Sequence, residues 1–249
     1  MTGDLEIREC VTLDHLAECV QLQRDVFALP EVELSPVRHF VVTRNAGGFT
    51  LGAYDGARLV GYVLSVPAFL RGERAFYSHM TGVLPEYQSI GLGARLKWAQ
   101  RLKALDEGVE YIKWTFEPTK ARNAYFNLEK LGATMVDYQR NFYGTDYAVS
   151  PESGKQIGLQ SDRLFAEWHL RSKKVETLAA GGIYNEPGEP IAKIEVPNDW
   201  NSLVESDPEA ALVTQLCVRR EFEAAFACGQ VVRGFRRDSD HPSYLLYAN

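Results

Sequence analysis

A short glycine-containing segment carries the residue types best suited to binding a phosphate. It reads Gln88-Ser89-Ile90-Gly91-Leu92-Gly93-Ala94 and lies between a strand-like apolar run and a run with helical periodicity. Glycine lets the backbone approach a ligand closely, and a helix N-terminus presents free N–H groups at the positive end of its dipole. The segment therefore predicts a loop that holds a phosphate or pyrophosphate, with close helix–sheet packing as the alternative.

The spacing excludes two nucleotide-binding motifs. A P-loop needs Gly-Lys-Ser/Thr, and none follows Gly93. A dinucleotide fingerprint needs a third glycine, and Leu96 stands at that position. A functional loop here would bind a different phosphate-bearing ligand.

The elements around this loop indicate a mixed sheet. Residues 5–138 are predicted to form a strand, two helices, three strands, a helix, a strand, a helix and a strand. This order favours an α/β fold with a mixed sheet over a doubly wound one. Asp55-Gly56 predicts a tight hairpin, and Ser35-Pro36 predicts the start of the second helix with Ser35 as its cap.

The remainder of the chain shows weaker patterns and no low-complexity linker. Its predicted elements are strands at 163–170 and 192–196, a helix from Asp207-Pro208 to Gly229, and a hairpin of 231–237 with 244–247. We expect a first domain over residues 1–147 and a C-terminal extension over 148–249.

Composition narrows the class of protein. The 249 residues include 27 Lys and Arg and 33 Asp and Glu, a net charge of −6 that argues against nucleic-acid binding. The four cysteines form no CxxC pair and no zinc-site spacing, which favours reduced thiols and no metal. The N-terminal residues lack the apolar core of a signal peptide, and no apolar run reaches about 18 residues. These features predict a cytoplasmic protein without a membrane segment.

The loop also resembles a family motif. Gln88-x-x-Gly91-x-Gly93, behind a strand that ends Val83-Leu84-Pro85, is similar to the acyl-CoA-binding motif Q/R-x-x-G-x-G/A of the GNAT acyltransferases. The later stretch from Asn123 to Ala133 resembles a helix of that family. The resemblance covers residues 5 to 145.

The resemblance implies a GNAT fold, with a mixed and mostly antiparallel central sheet, flanking helices and an α/β extension packed on it. It implies a donor that is acetyl-CoA or another acyl-CoA, succinyl-CoA included. The pyrophosphate would lie on the loop, the pantetheine would bond the backbone of the strand, and an amine would attack the thioester directly in a ternary complex. The residues implied to contact the donor are Val83, Leu84, Gln88, Ser89, Ile90, Gly91, Leu92, Gly93, Ala94, Asn123 and Asn127.

An attacking amine must lose a proton, so the implied reaction needs a base near neutral pH. His79 stands four residues before Val83, where serotonin-acetylating members carry a histidine, and histidine titrates in this range. The alternative is a hydrogen-bonded core histidine. Glu33 and Glu117 are further candidate bases, each otherwise a solvated surface carboxylate.

The sequence departs from the family at the proton donor. The tyrosine that protonates the leaving thiolate is replaced by Leu128, which has no proton to give. Tyr125, Tyr143 and Asn127 are the candidate substitutes. Alternatively the thiolate leaves without an acid, because a thiol with a pKa of about 8.5 is a tolerable leaving group.

The extension resembles that of a GNAT subgroup with an Asp-Arg-x-x-x-Glu-Trp element, here Asp162 to Trp168. Some members accompany N-succinylamino-acid racemases, which indicates an amino-acid-like acceptor. An extension that packs on the first domain could form a half-lobe that closes the acceptor side of the cleft. Arg163, Glu167 and Trp168 are candidate acceptor contacts there, and Arg163 could instead form a structural ion pair.

The predicted function is an acyl-CoA-dependent N-acyltransferase acting on a small amine or amino-acid-like acceptor. The alternatives are a non-catalytic acyl-CoA-binding module, a protein N-acetyltransferase, and an α/β binding protein without CoA affinity. A homodimer fits the resemblance, since dimers are common in the family.

Overall fold

A computed structural model describes residues 5–27, 29–144 and 159–249. These residues form two compact units. The first holds the described residues up to Trp114 together with His169–Arg171. The second holds the described residues of Thr115–Trp168 and Ser172–Asn249. The boundary expected between residues 147 and 148 lies outside the described residues.

The sheet of the first unit follows the chain in order. Its strands are β1 (Glu6–Glu9), β2 (Phe49–Asp55), β3 (Arg58–Leu70), β4 (Glu73–Val83) and the first part of β5 (Tyr111–Phe116). Neighbouring strands are antiparallel from β1 to β4, and β4 runs parallel to β5. The sheet is therefore mixed and mostly antiparallel, as the element order predicted.

Helices cover both faces of this sheet. They are α1 (Leu13–Phe27), α2 (Val37–Asn45) and α3 (Leu92–Asp106). A Cβ added at Gly82 would contact Leu22 and Phe27 of α1, whereas one added at Gly61 would contact Leu96 of α3. Gly61 pairs with Val83, the neighbour of Gly82, so the two glycines point to opposite faces. The two glycines leave the room that lets both helices approach the strands.

The strands of the second unit follow the order β7-β6-β9-β10-β8. The strands are β6 (Thr134–Gln139), β7 (Arg163–His169), β8 (Ala192–Glu195), β9 (Gln230–Arg236) and β10 (Ser243–Ala248). Its helices are α4 (Ala121–Tyr125), which continues as a π-turn over Phe126–Lys130, α5 (Lys173–Ala179), α6 (Trp200–Ser206) and α7 (Pro208–Ala227). Among the described residues, no helix is long and apolar enough to cross a membrane.

Several local patterns are confirmed. The Asp55-Gly56 hairpin joins β2 to β3, and the predicted final hairpin is the antiparallel pair of β9 and β10. Asp207 caps α7 by accepting from the Ala210 amide at 3.0 Å. Two helices escaped prediction, because α5 and α6 have seven residues each and so little periodicity to detect.

The predicted cap of α2 is wrong. Pro36, not Ser35, is the N-cap residue, and no side chain caps this helix. The Ser35 hydroxyl lies 3.2 Å from Nε2 of His79 instead. A serine before a proline satisfies the local capping pattern, but a tertiary partner takes its hydroxyl.

A buried ion pair ties the start of β7 to α7 within the second unit. Asp162 has no exposed side-chain surface, and Arg219 donates to its two carboxylate oxygens at 2.8 Å each. The Tyr138 hydroxyl and the Asn141 amide donate to the same carboxylate, at 2.5 and 3.0 Å. The buried carboxylate thus receives hydrogen bonds from protein groups on both of its oxygens.

We expect Arg219→Met to destabilise the protein by about 3–5 kcal/mol, because it leaves the Asp162 charge buried without its cation. The measurement is the free energy of unfolding in urea. Arg220→Met is the matched control, since Arg220 is exposed and its bonds among the described residues are to the Leu216 carbonyl and the Cys217 thiol of its own helix. Equal stability of the two variants would contradict this account of the ion pair.

Candidate functional site

β4 contains one extra residue at His79. Leu64 of β3 pairs with Met80, but the next residue of β3, Ser65, pairs with Ser78. His79 lies between the two pairs and is the bulged residue. Bulges of this kind commonly re-aim a side chain next to an active site.

The bulge brings His79 to the face of the sheet that α1 and α2 cover. Met80 shares this face with Gly82, because side chains two residues apart on a strand point the same way. His79 joins them, with Nε2 3.2 Å from Ser35 Oγ and its ring centroid 5.4 Å from that of His39. Ser78 points to the opposite face, where its hydroxyl bonds Gln100 of α3.

His79 is a chemically suitable base. Burial lowers the pKa of its imidazole, and the nearby His39 lowers it further. The ring is therefore mostly neutral at a pH equal to the ordinary histidine pKa of about 6.5. A neutral ring has one nitrogen lone pair that can accept a proton. The pattern in the sequence located this histidine, but its two neighbours came from elements 40 or more residues away in the chain.

Gln23 of α1 holds Ser35 in place. Its Nε2 donates to the Ser35 carbonyl at 3.1 Å, and its Oε1 accepts from the Ser35 amide at 2.9 Å. Gln23 is fully buried and Ser35 nearly so. Gln23 was not predicted, because a polar residue on a helix is usually solvated, and Ser35 was predicted only as the cap of α2.

A buried polar network supports the bulge from the α3 face. Gln100 donates to the hydroxyls of Ser65 and Ser78 at 2.7 and 3.1 Å. Lys97 donates to Gln100 Oε1 at 2.6 Å and to Ser78 Oγ at 3.0 Å, and its ammonium lies 3.8 Å from the Trp114 ring centroid. Burial lowers the pKa of Lys97. Ser65 and Ser78 flank the bulge, so the network clamps both strands there.

Beyond the bulge, β4 offers an open edge towards β5. Within the described part of the first unit, β4–β5 pairing is confined to Phe76 with Ile112 and Tyr77 with Lys113. The Leu84 amide donates to Val60 of β3 at 2.9 Å, so alternation turns the backbone groups of Val83 and Thr81 away from β3. Thr81 and Val83 are thus suited to bond an extended ligand, while the predicted Leu84 has its amide occupied. Thr81 was not predicted.

The glycine loop follows this edge directly. Gln88 Nε2 donates to the Val83 carbonyl at 3.0 Å. Ser89 and Gly91 both have positive φ, 66° and 85°, and Gly91 is the N-cap of α3. A Cβ added at Gly91 would meet nothing within 4 Å, so the space above it is open.

The loop residues divide by exposure. Ser89, Ile90 and Gly91 are exposed, and Gly93 and Ala94 are partly exposed. Leu92 is buried and anchors the first turn of α3. The amides of such a first turn have no partner within the helix, so this turn can receive an anion.

The other two candidate bases have ordinary surroundings. Glu33 lies exposed in a 3₁₀ turn, Glu31–Glu33, two residues before Ser35. Glu117 belongs to the second unit and pairs with Lys120 at 3.0 Å. Glu33 is exposed and Glu117 is only partly buried.

The remaining donor-side candidates lie in the second unit. Asn123 and Tyr125 are partly buried on α4, and Lys130 and Arg237 lie 5.5 Å from the Tyr125 ring centroid. Asn127 is buried at 4 % exposure, and Leu128, the residue at the usual tyrosine position, is fully buried.

The acceptor-side candidates also lie in the second unit. The Arg163 guanidinium is 5.1 Å from the Tyr143 ring, and Tyr143 OH lies 3.1 Å from Thr115 Oγ1. Glu167 is buried at 2 % exposure. Trp168 is fully buried and its indole donates to the Leu131 carbonyl at 2.7 Å, so its part is in the core of the unit and not in substrate contact.

No family model and no curated protein matches this sequence. Solved structures match its fold. Among them are an acetyltransferase of the GNAT family from Streptococcus pneumoniae and yncA from Salmonella typhimurium, solved with its cofactor acetyl-CoA. A third is the polyamine N-acetyltransferase of Drosophila melanogaster.

The TM-scores of these three are 0.51, 0.52 and 0.50 at 17%, 15% and 14% identity. The matches cover 66%, 68% and 67% of this chain and 98%, 96% and 100% of the three structures. They confirm the predicted GNAT fold.

Replacing Gln100 by Met should remove the amide that joins Ser65 to Ser78 and leave buried hydroxyls short of a partner. We expect a loss of about 2 kcal/mol in the free energy of unfolding, measured in urea. Leu102→Met, at an exposed position of the same helix, is the control and should change little. A stable Gln100→Met variant would show that the bulge does not depend on this network.

Proposed function

From the GNAT fold and the site on β4, we propose that this chain is an acyl-CoA-dependent N-acyltransferase acting on a small amine or amino-acid-like acceptor. The observation that carries the proposal is that one strand supplies both halves of the site. His79 lies at the bulge of β4, and the open edge of the same strand leads into the loop before α3. A base and a phosphate-binding helix N-terminus on one strand suit acyl transfer from a nucleotide-linked thioester.

The residues fit an acyl-CoA donor. The exposed residues Ser89, Ile90 and Gly91, the first-turn amides of α3 and the open space at Gly91 suit a pyrophosphate. The backbone groups of Thr81 and the amide of Val83 suit the amides of a pantetheine chain, while the Val83 carbonyl accepts from Gln88. When bound, the donor supplies an electrophilic thioester carbonyl and a thiol leaving group. Both acetyl-CoA and succinyl-CoA belong to this proposal, and yncA, which was solved with acetyl-CoA, supports the first.

His79 would take the proton of the attacking amine. Its neutral ring accepts that proton, and it is partly buried beside His39 of α2. Glu33 and Glu117 are weaker candidates because both have ordinary surface surroundings.

Leu128 has no proton to donate to the leaving thiolate. The residues proposed to donate the proton in place of Leu128 are Tyr125, Tyr143 and Asn127. The alternative is release without an acid, since a thiolate is a tolerable leaving group. The leucine also favours a second candidate function, a non-catalytic acyl-CoA-binding module. Turnover separates the two, because only the enzyme releases free thiol when an amine is added.

The acceptor class remains part of the proposal. The Drosophila polyamine N-acetyltransferase supports a small amine, and Arg163 would suit the carboxylate of an amino-acid-like acceptor. A homodimer and a cytoplasmic location belong to the same proposal, the second supported by four free cysteines. In such a homodimer, the second copy of the chain could not add a strand to the edge of β6 where β9 is already paired.

Free CoA, acetyl-CoA and succinyl-CoA should each raise the melting temperature of the protein, while ATP and NAD should not. Ligand at about 100 times its dissociation constant stabilises a fold by about 2.7 kcal/mol. Gly91→Glu should abolish this shift, because a carboxylate and added bulk would face the pyrophosphate.

Gly108→Glu is the matched control for that substitution. Gly108 also has positive φ, 71°, with open space around it, and it lies at the opposite end of α3. An unchanged shift in Gly91→Glu, or its loss in both variants, would contradict the loop assignment.

His79→Ala should lower kcat by roughly 10²–10⁴, the usual contribution of a general base. In the unmodified protein kcat/KM should fall as pH decreases, because protonated His79 cannot accept a proton. The lowered pKa of His79 places this fall below pH of about 6.5, the ordinary value for histidine. An unaltered rate and pH profile in the variant would make His79 a structural residue.

A further inference from the structure

The hydrogen bond between Ser35 and His79 determines which ring nitrogen can meet the acceptor. Nε2 lies 3.2 Å from Ser35 Oγ, and Ser35 is 8 % exposed. A nitrogen that is engaged with a buried hydroxyl does not also bond a substrate amine. Nδ1 is therefore the atom of His79 that remains for the acceptor.

We propose that Gln23 and Ser35 are positioning residues that fix the tautomer of His79, with the proton on Nε2 and the lone pair on Nδ1. This inference rests on the proposed function and names the atom that does its proton transfer. A neutral imidazole has one N–H donor and one acceptor nitrogen. If Nδ1 is the base, Nε2 must carry the hydrogen, and Ser35 Oγ must accept it.

Gln23 makes this arrangement rigid. Its side-chain amide bonds both backbone groups of Ser35, and each of those groups has a single possible role. The Ser35 N–H can only donate and its C=O can only accept, so the orientation of the Gln23 amide follows. These two hydrogen bonds fix the backbone of Ser35 to α1, and the Ser35 hydroxyl is thereby held next to Nε2 of His79.

The proton transfer balances within this arrangement. The N–H bond of the acceptor breaks, its electron pair stays on the acceptor nitrogen, and an Nδ1–H bond forms. His79 becomes an imidazolium whose Nε2–H still donates to Ser35. The proton on Nδ1 then passes to water after the product leaves.

The competing arrangement is a relay through Ser35. There the serine hydroxyl would donate to Nε2 and receive the proton of the acceptor, and Nδ1 would carry the ring hydrogen. The two arrangements place the ring hydrogen on different nitrogens, so spectroscopy separates them without any turnover.

The test is a long-range ¹H–¹⁵N correlation spectrum of the full chain labelled with ¹⁵N-histidine, recorded with and without CoA. His79→Gln identifies the signals of His79. We expect a protonated Nε2 and an unprotonated Nδ1 at neutral pH. A protonated Nδ1 would overturn the proposal in favour of the relay.

Variants supply a second readout. Ser35→Ala and Gln23→Met should give a mixture of His79 tautomers and lower kcat/KM by roughly 10- to 100-fold, the cost of a misplaced catalytic group. Ser35→Thr keeps the hydroxyl and should restore the single tautomer. Gln21→Met is the matched control for Gln23→Met, since Gln21 is exposed two residues away on the same helix. Equal tautomer ratios in the Gln21 and Gln23 variants would overturn the role of Gln23.

CoA binding distinguishes this inference from the proposed function. Ser35 and Gln23 lie on the α1 side of the sheet, so their variants should keep the melting-temperature shift with CoA. If the unmodified protein itself shows no shift, the proposed function fails. If it binds CoA and turns over but holds the other tautomer, the inference alone fails.

Discussion

One extra residue in β4 determines the geometry of the site. With regular alternation, Ser78, Met80 and Gly82 would share a face of the sheet. The extra residue sends Ser78 towards α3 and leaves His79 beside α1 and α2. The interrupted ladder costs a backbone pairing, and the buried hydrogen bonds of Gln100 on one face and Ser35 on the other offset it. The same interruption begins the stretch of β4 that β5 does not pair.

Two buried glutamines explain how the bulge stays in one conformation. Gln23 bonds both backbone groups of Ser35, and Gln100 bridges the serines on either side of the bulge. A buried amide with both ends bonded cannot rotate without losing partners to a medium that offers no water in exchange. His79 is thus held by polar groups that are costly to disturb, which suits the proton-accepting part proposed for it.

The second unit shows how an extension is integrated into a fold. β9 pairs with β6, and β10 and β8 continue the sheet from there, so hydrogen bonds between strands join the extension to the rest of the second unit. The Asp162–Arg219 pair and the buried Trp168 make the Asp-Arg-x-x-x-Glu-Trp element part of this unit's core. Within this element Asp162 and Trp168 contribute to the packing of β7, whereas Arg163 keeps its proposed part as an acceptor contact.

The sequence alone determined the features that depend on local chemistry. The Asp55-Gly56 turn, the capped start of α7, the element order of a mixed sheet and the glycine loop before α3 each follow from neighbouring residues, and the structure has them all. It also singled out His79. Only the tertiary structure decided the face on which His79 lies, the partner of the Ser35 hydroxyl and the burial of Gln23 and Gln100. The physical reason is that no residue type in the sequence marks the position of a bulge, although the bulge shifts the strand register. A buried polar side chain, in turn, forms its hydrogen bonds with partners far away in the chain.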